Sequence, residues 1–238
     1  MTPVALNLAI AALPALVFVG LAARGGVFPL SAFYRSFLAG ILAVFPALLL
    51  MLLVSSALSG VQGLAGDALR AFVVAGLVEE AVKLAPVWWS LRRLELPAGE
   101  RHAPGPYRRP SDRRRAAPPG SPPPARRLAL AVTAGLGFAF MENAFYVAGT
   151  SQVLLARAVL AVPLHGAAAA YLGIAIGSTA DPAGPPHIRT VAGALALAAV
   201  VHGFYDLAVK RAALAAPVVV IAAVGLAVVG ARRHARAS

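Results

Sequence analysis

Residues 71–91 read AFVVAGLVEEAVKLAPVWWSL, an apolar stretch with Glu79, Glu80 and Lys83 near its middle. A bilayer crossing takes about 20 predominantly apolar residues, so this stretch is long enough to span. Six further runs with little or no charge lie at residues 3–23, 37–58, 128–148, 158–177, 191–209 and 212–229. The 238-residue chain is 60% hydrophobic and 13% charged, with a mean hydropathy of +0.79. That composition is too apolar for a soluble domain. The fold expected is an all-α polytopic membrane helix bundle of about seven transmembrane helices, one membrane domain over residues 1–238. Only Lys210 and Arg211 separate the last two runs, so six spans, with those two fused or re-entrant, is the alternative.

Orientation follows from the basic residues, because Lys and Arg concentrate in cytoplasmic loops. One side of the alternating runs carries Arg24, Arg35, ten arginines from Arg92 to Arg127, Arg189, Arg232, Arg233 and Arg236. The other carries only Arg70, Arg157, Lys210 and Arg211. This asymmetry predicts an integral inner (plasma) membrane protein with its N-terminus outside and its C-terminus cytoplasmic. No positive stretch precedes the first run and Arg24 follows it, which is not the pattern of a signal peptide. Residues 92–127 hold Pro97, Pro104, Pro106, Pro110, Pro118, Pro119 and the prolines at 122–124. Such a segment reads as a disordered, Pro/Arg-rich cytoplasmic loop. The formal net charge of +12 is explained by loops that fix topology, with the lipid bilayer as partner and no nucleic acid. The absence of cysteine excludes disulfides, thiol nucleophiles and thiolate metal sites.

Nine acidic residues occur in all, and Glu79, Glu80, Glu142 and Asp206 fall inside the apolar runs together with Lys83, His165 and His202. A charged side chain at mid-bilayer costs about 2.5–3.5 kcal/mol on the insertion scale, so such residues face a polar interior and mark function. On a helix Lys83 reaches Glu79 at i,i+4 and Glu80 at i,i+3. Adjacent glutamates diverge by about 100°, so they take different roles. The i,i+4 pair with glutamate N-terminal is the better helical ion pair, which assigns Glu79 to Lys83 as a structural pair and leaves Glu80 as general base. Glu142 stands beside Asn143, and Asp206 is at i+4 from His202, where it can orient the imidazole. At about 1.5 Å of rise per residue, Glu80 lies roughly 13 Å below the outer end of its run, Glu142 roughly 9 Å, and His165 and His202 roughly 10 Å. A single polar site in the outer half of the bilayer accounts for that agreement. Phe138, Trp88, Trp89 and Tyr146 read as packing or interface residues.

Several chemistries fail on composition. There is no H-E-x-x-H zinc helix and no G-x-S-x-G nucleophile, and Tyr205-Asp206 has no second aspartate in a membrane G-x-G-D. A glutamate and histidine site remains.

Taken in order, Glu79-Glu80-x-x-Lys83, Phe138-x-x-x-Glu142-Asn143, His165 and His202-x-x-x-Asp206 resemble the PrsW family of intramembrane proteases, a branch of the superfamily that also holds the CAAX prenyl proteases. The resemblance covers residues 71–209. It implies hydrolysis of a peptide bond inside or just outside the membrane, in a single-span membrane protein substrate such as an anti-sigma factor. It further implies that a glutamate of the Glu79-Glu80 pair activates water, while His165 and His202 bind the oxyanion or a metal. CAAX-type members carry a histidine where this chain has Glu142. His165, His202 and Glu142 match a zinc site in ligand count, and a metal-free, glutamate-activated water is the alternative. From another class, a proton-coupled transporter or channel would also use buried Glu, His and Asp, but the inverted repeats or paired broken helices that favour it are not seen in the sequence.

Overall fold

The computed structural model describes residues 3–24, 30–93, 124–146, 151–177 and 187–237. Every regular element among them is helical. Helix α1 covers Pro3–Arg24 and α2 Leu30–Ala57. A three-part element follows: α3 over Gly63–Leu69, a π-helical segment over Arg70–Glu79, and α4 over Glu80–Arg93. Helices α5 (Pro124–Ala144), α6 (Ser151–Gly177), α7 (Ile188–Arg211) and α8 (Ala216–Ala237) complete the bundle, with a 3₁₀ turn at Ala213–Ala215 before α8.

Among the described residues, four helical stretches are long and apolar enough to cross a membrane: Leu30–Ala57, Val153–Gly177, Ile188–Arg211 and Ala213–His234, with a shorter apolar stretch at Ala5–Phe18. The chain is therefore an integral membrane protein. Three of the seven expected spans are not among these four: the first is represented by the shorter stretch, and the other two differ for a physical reason. The run at 71–91 is divided between the π-helical segment and α4 and carries Glu79, Glu80 and Lys83, while α5 begins with Arg126 and Arg127 and ends with Glu142 and Asn143. Both give up apolar character to charged and amide side chains. The expected loop at 92–127 lies mostly outside the described residues. Its flanks are helical, since α4 continues to Arg93 and α5 starts at Pro124.

Helix α6 is the most enclosed of the four apolar stretches, 78% of its apolar window being buried against 22–33% in the other three. Its Ala161, Leu164, Ala168 and Tyr171 pack with Ala198 and Tyr205 of α7 and Ala216, Val220 and Ala223 of α8. Its Ala169 and Leu172 pack with Val87 of α4 and Ala131 and Ala134 of α5. The Tyr171 hydroxyl donates to the Ala223 carbonyl. Conversely Leu38, Leu42, Phe45, Leu49, Leu52 and Leu53 of α2 are exposed, the lipid-facing side that a membrane helix requires.

Small residues bring the site-bearing helices together, as lipid-embedded helices need close packing in place of a hydrophobic drive. A Cβ on Gly76 would run into the Ala199 carbonyl, and one on Gly203 would run into Phe72. These two glycines let the π-helical segment and α7 touch on either side of His202. Ser36 of α2 donates to the Ser90 hydroxyl of α4 at 2.9 Å and is 2.7 Å from the Leu130 carbonyl of α5, tying three helices beneath the site. At the turn into α8, Asp67 of α3 binds Lys210 at 2.5 Å and also Arg211. The junction of the last two runs is thus clasped by an aspartate from another helix. Its bond from Lys210 holds the Asp67 carboxyl below the usual carboxylate range, desolvation acting the other way and Arg211 adding to the lowering.

Candidate active site

Glu79 closes the π-helical segment and Glu80 opens α4. Both are buried, at 4% and 0% exposure, as are Lys83, His165, His202 and Asn143. Lys83 Nζ donates to Glu80 Oε1 at 2.7 Å and stands 3.8 Å from Glu79 Oε2. The close partner of Lys83 is therefore Glu80, opposite to the i,i+4 expectation. That expectation assumed an uninterrupted α-helix. Glu80 and Lys83 lie within α4 and keep α-helical spacing, whereas Glu79 belongs to the wider i→i+5 turns of the π-helical segment.

Each imidazole has a carboxylate on one nitrogen. His202 Nδ1 lies 2.8 Å from Glu80 Oε1, and His165 Nε2 lies 2.8 Å from Glu142 Oε2. The rings meet edge to face, their centroids 5.2 Å apart. His165 Nδ1 is 2.6 Å from Lys83 Nζ, and His202 Nε2 is 3.8 Å from Glu79 Oε2. Glu80, Glu142, His165 and His202 are thus linked through contacts of 2.8 Å or less in a single cluster. His165 faces inward rather than toward lipid.

The remaining expected residues frame this cluster. Asp206 Oδ2 stands 3.7 Å from His202 Nε2, one turn along α7, and its side chain is one-third exposed. Phe138 packs its ring against His165 with centroids 5.7 Å apart and lies under Lys83 Nζ at 4.3 Å, so a residue read as packing lines the site. Asn143 Oδ1 accepts from Arg157 Nε at 2.8 Å. Trp88 and Trp89 are exposed, away from the cluster.

Arg157 is the residue that sequence reading missed. Counted there as a loop charge, it sits inside α6, binds Glu142 Oε1 through Nη2 at 2.5 Å, and lies over the Tyr146 ring at 4.0 Å. The signal was present: a lone arginine one residue ahead of an apolar run, two helical turns before His165, in a helix that continues N-terminal to that run.

Glu79, His165 and His202 each offer a ligand atom, and the three atoms lie within 4.8 Å of one another. Glu142, expected as the third ligand, is not in that group; it spans from His165 to Arg157 instead. The donor chemistry suits a divalent metal. Two imidazoles and a glutamate form a known hydrolytic zinc set. Glu79 Oε2 is buried and takes no hydrogen bond among the described residues. With Glu142 and Glu80 on the outward nitrogens, His165 Nδ1 and His202 Nε2 are left facing inward, and a carboxylate behind each ring is how metal-binding histidines are oriented. A cation, the Lys83 ammonium, already stands among these donors.

A family model for the PrsW intramembrane metalloproteases matches residues 28–231. No curated protein and no solved structure matches the chain.

Proposed function

The chain belongs to the PrsW family of intramembrane metalloproteases, and we propose that it cuts a single-span membrane protein, such as an anti-sigma factor, near the outer face of the bilayer. The observation that carries this reading is the convergence of Glu79, His165 and His202, from three separate helices, on one buried point. In this reading about seven helices span the membrane, the N-terminus is outside, the C-terminus and the 92–127 loop are cytoplasmic, and the site opens outward.

Glu79 Oε2, His165 Nδ1 and His202 Nε2 would hold a zinc ion. When bound it acts as a Lewis acid on the scissile carbonyl and acidifies the attacking water. The protein's own groups prepare the site. Glu80 fixes His202 by its contact with Nδ1, and Lys83 neutralises Glu80. Glu142 fixes His165 from the opposite side. Asp206, one turn toward the outer end of α7 and part-exposed, faces the side from which substrate enters. Phe138 covers Lys83 and His165 and keeps bulk water from the cluster.

Of the two glutamates, the one grouped with both imidazoles is the reactive one. Glu80 Oε1 is committed to a lysine and a histidine, whereas Glu79 Oε2 has neither within 3.5 Å and lies among the donors of the Glu79, His165 and His202 group. This reverses the assignment expected from helical spacing. The contact of Lys83 with His165 Nδ1 favours a second reading, in which Lys83 is the resident cation and Glu79 takes the proton of water without a metal. Purified protein in detergent should be incubated with a single-span substrate before and after treatment with a chelator, and the bound metal measured. Loss of cleavage on chelation and recovery with zinc supports the first reading. Cleavage that survives complete removal of metal supports the second, and no cleavage of any single-span substrate contradicts both.

A further inference from the structure

We propose that Arg157 is a positioning residue for the reaction, acting through Glu142 on His165. This rests on the site described above. Arg157 makes three contacts at the outer mouth of the cluster. Its Nη2 meets Glu142 Oε1 at 2.5 Å, its Nε donates to Asn143 Oδ1 at 2.8 Å, and its guanidinium lies 4.0 Å over the Tyr146 ring. Asn143 and Tyr146 thereby hold the guanidinium plane from two directions, and the plane in turn fixes the rotation of the Glu142 carboxylate.

The two oxygens of Glu142 are divided. Oε1 goes to Arg157 and Oε2 goes to His165 Nε2 at 2.8 Å. With Oε1 anchored, Oε2 is presented to the imidazole, and the nitrogen on the far side, Nδ1, is turned toward Lys83 and the glutamate pair. A planar fork performs this task because its Nε and Nη2 bonds are rigidly related, so both partners are set at once. An ammonium cannot set them both. The side chains of Arg157 and Glu142 are 17% and 19% exposed, so water competes with the pair and its persistence depends on this second set of anchors. The burial of Asn143 supplies one that water does not displace.

The test is a cycle of Arg157→Gln, Arg157→Lys, Glu142→Gln and the Glu142→Gln/Arg157→Gln double variant. It is read by cleavage kinetics on a single-span substrate and by the ¹⁵N resonances of the His165 imidazole. Outer partners of this kind change activity by about 10–100-fold. Arg157→Gln is therefore expected to lower kcat by that factor with KM unchanged and to shift the His165 signals, with Arg157→Lys in between. In the Glu142→Gln background, Arg157→Gln should add little, because the group through which it acts is gone. The double variant carries neither charge, so it reports even if Arg157→Gln alone misfolds. Additive losses, a change confined to KM, or unmoved His165 signals in Arg157→Gln would each overturn the proposal. The imidazole signals need no substrate, so failure of the wild-type protein to cleave would count against proteolysis at the site while leaving the role of Arg157 to be decided by those signals.

Discussion

Two carboxylate–cation pairs grip the two histidines, and they differ in where they sit. Glu80 and Lys83 hold His202 from inside the bundle, with side chains 0% and 1% exposed. Glu142 and Arg157 hold His165 at the mouth, at 19% and 17%. Removing one partner of a buried pair strands a charge where nothing solvates it, at about 3–5 kcal/mol, whereas replacing both members with neutral groups is often tolerated. Part-exposed partners can be rehydrated. The inner pair should therefore govern whether the protein folds, and the outer pair how well the folded protein works.

The largest expected effect breaks the inner pair. Lys83→Met should lower stability by about 3–5 kcal/mol, seen as a large fall in the thermal midpoint in detergent, and Glu80→Gln/Lys83→Met should recover much of it. If Lys83→Met unfolds no more readily than the wild type, the inner pair is not structural. The outer pair supplies the contrast. Glu142→Gln should cut cleavage about 10–100-fold with a midpoint that falls much less than in Lys83→Met. An equal fall in both would erase the distinction between the two clamps.

The bundle was legible because each apolar run falls on a helix, and four of the site's charges lie in runs where lipid tolerates no idle carboxylate. The grouping of Glu80, Glu142, His165 and His202 was legible from their common depth. Three things were not. The division between Glu79 and Glu80 depends on the π-helical segment that ends at Glu79, and helical periodicity carries no sign of where i→i+4 bonding gives way to i→i+5. Arg157 was assigned to a loop because a charge at the edge of an apolar run looks the same whether it is solvated or turned inward onto a carboxylate from another helix. Asp67 escaped notice for the same reason: its partners Lys210 and Arg211 are distant in sequence.

That clasp offers the smallest expected effect and a control for both pairs. Lys210 and Arg211 are 56% and 48% exposed, and exposed partners contribute little. Asp67→Asn should lower the thermal midpoint less than either change at the site and leave cleavage unaltered. The Asp67 carboxyl is held below its ordinary value, so its stabilising contribution is complete above the unfolded-state value near 3.9. It fades as pH falls through the lower folded value, because the unfolded chain then binds the proton more readily. A midpoint whose acid dependence is the same in Asp67→Asn as in the wild type would deny the clasp any role.

The assignment of the reactive carboxylate is tested most directly by comparing Glu79→Gln with Glu80→Gln, each measured for cleavage of a single-span substrate and for thermal unfolding in detergent. Glu79 Oε2 makes no ion-pair contact closer than 3.8 Å with Lys83 or His202 and is grouped with His165 and His202, so Glu79→Gln should give a protein that unfolds close to the wild-type midpoint and does not cleave. Glu80 is the partner of both Lys83 and His202, so Glu80→Gln should lose stability and activity together. A stable, inactive Glu80→Gln beside a destabilised or active Glu79→Gln would contradict the account.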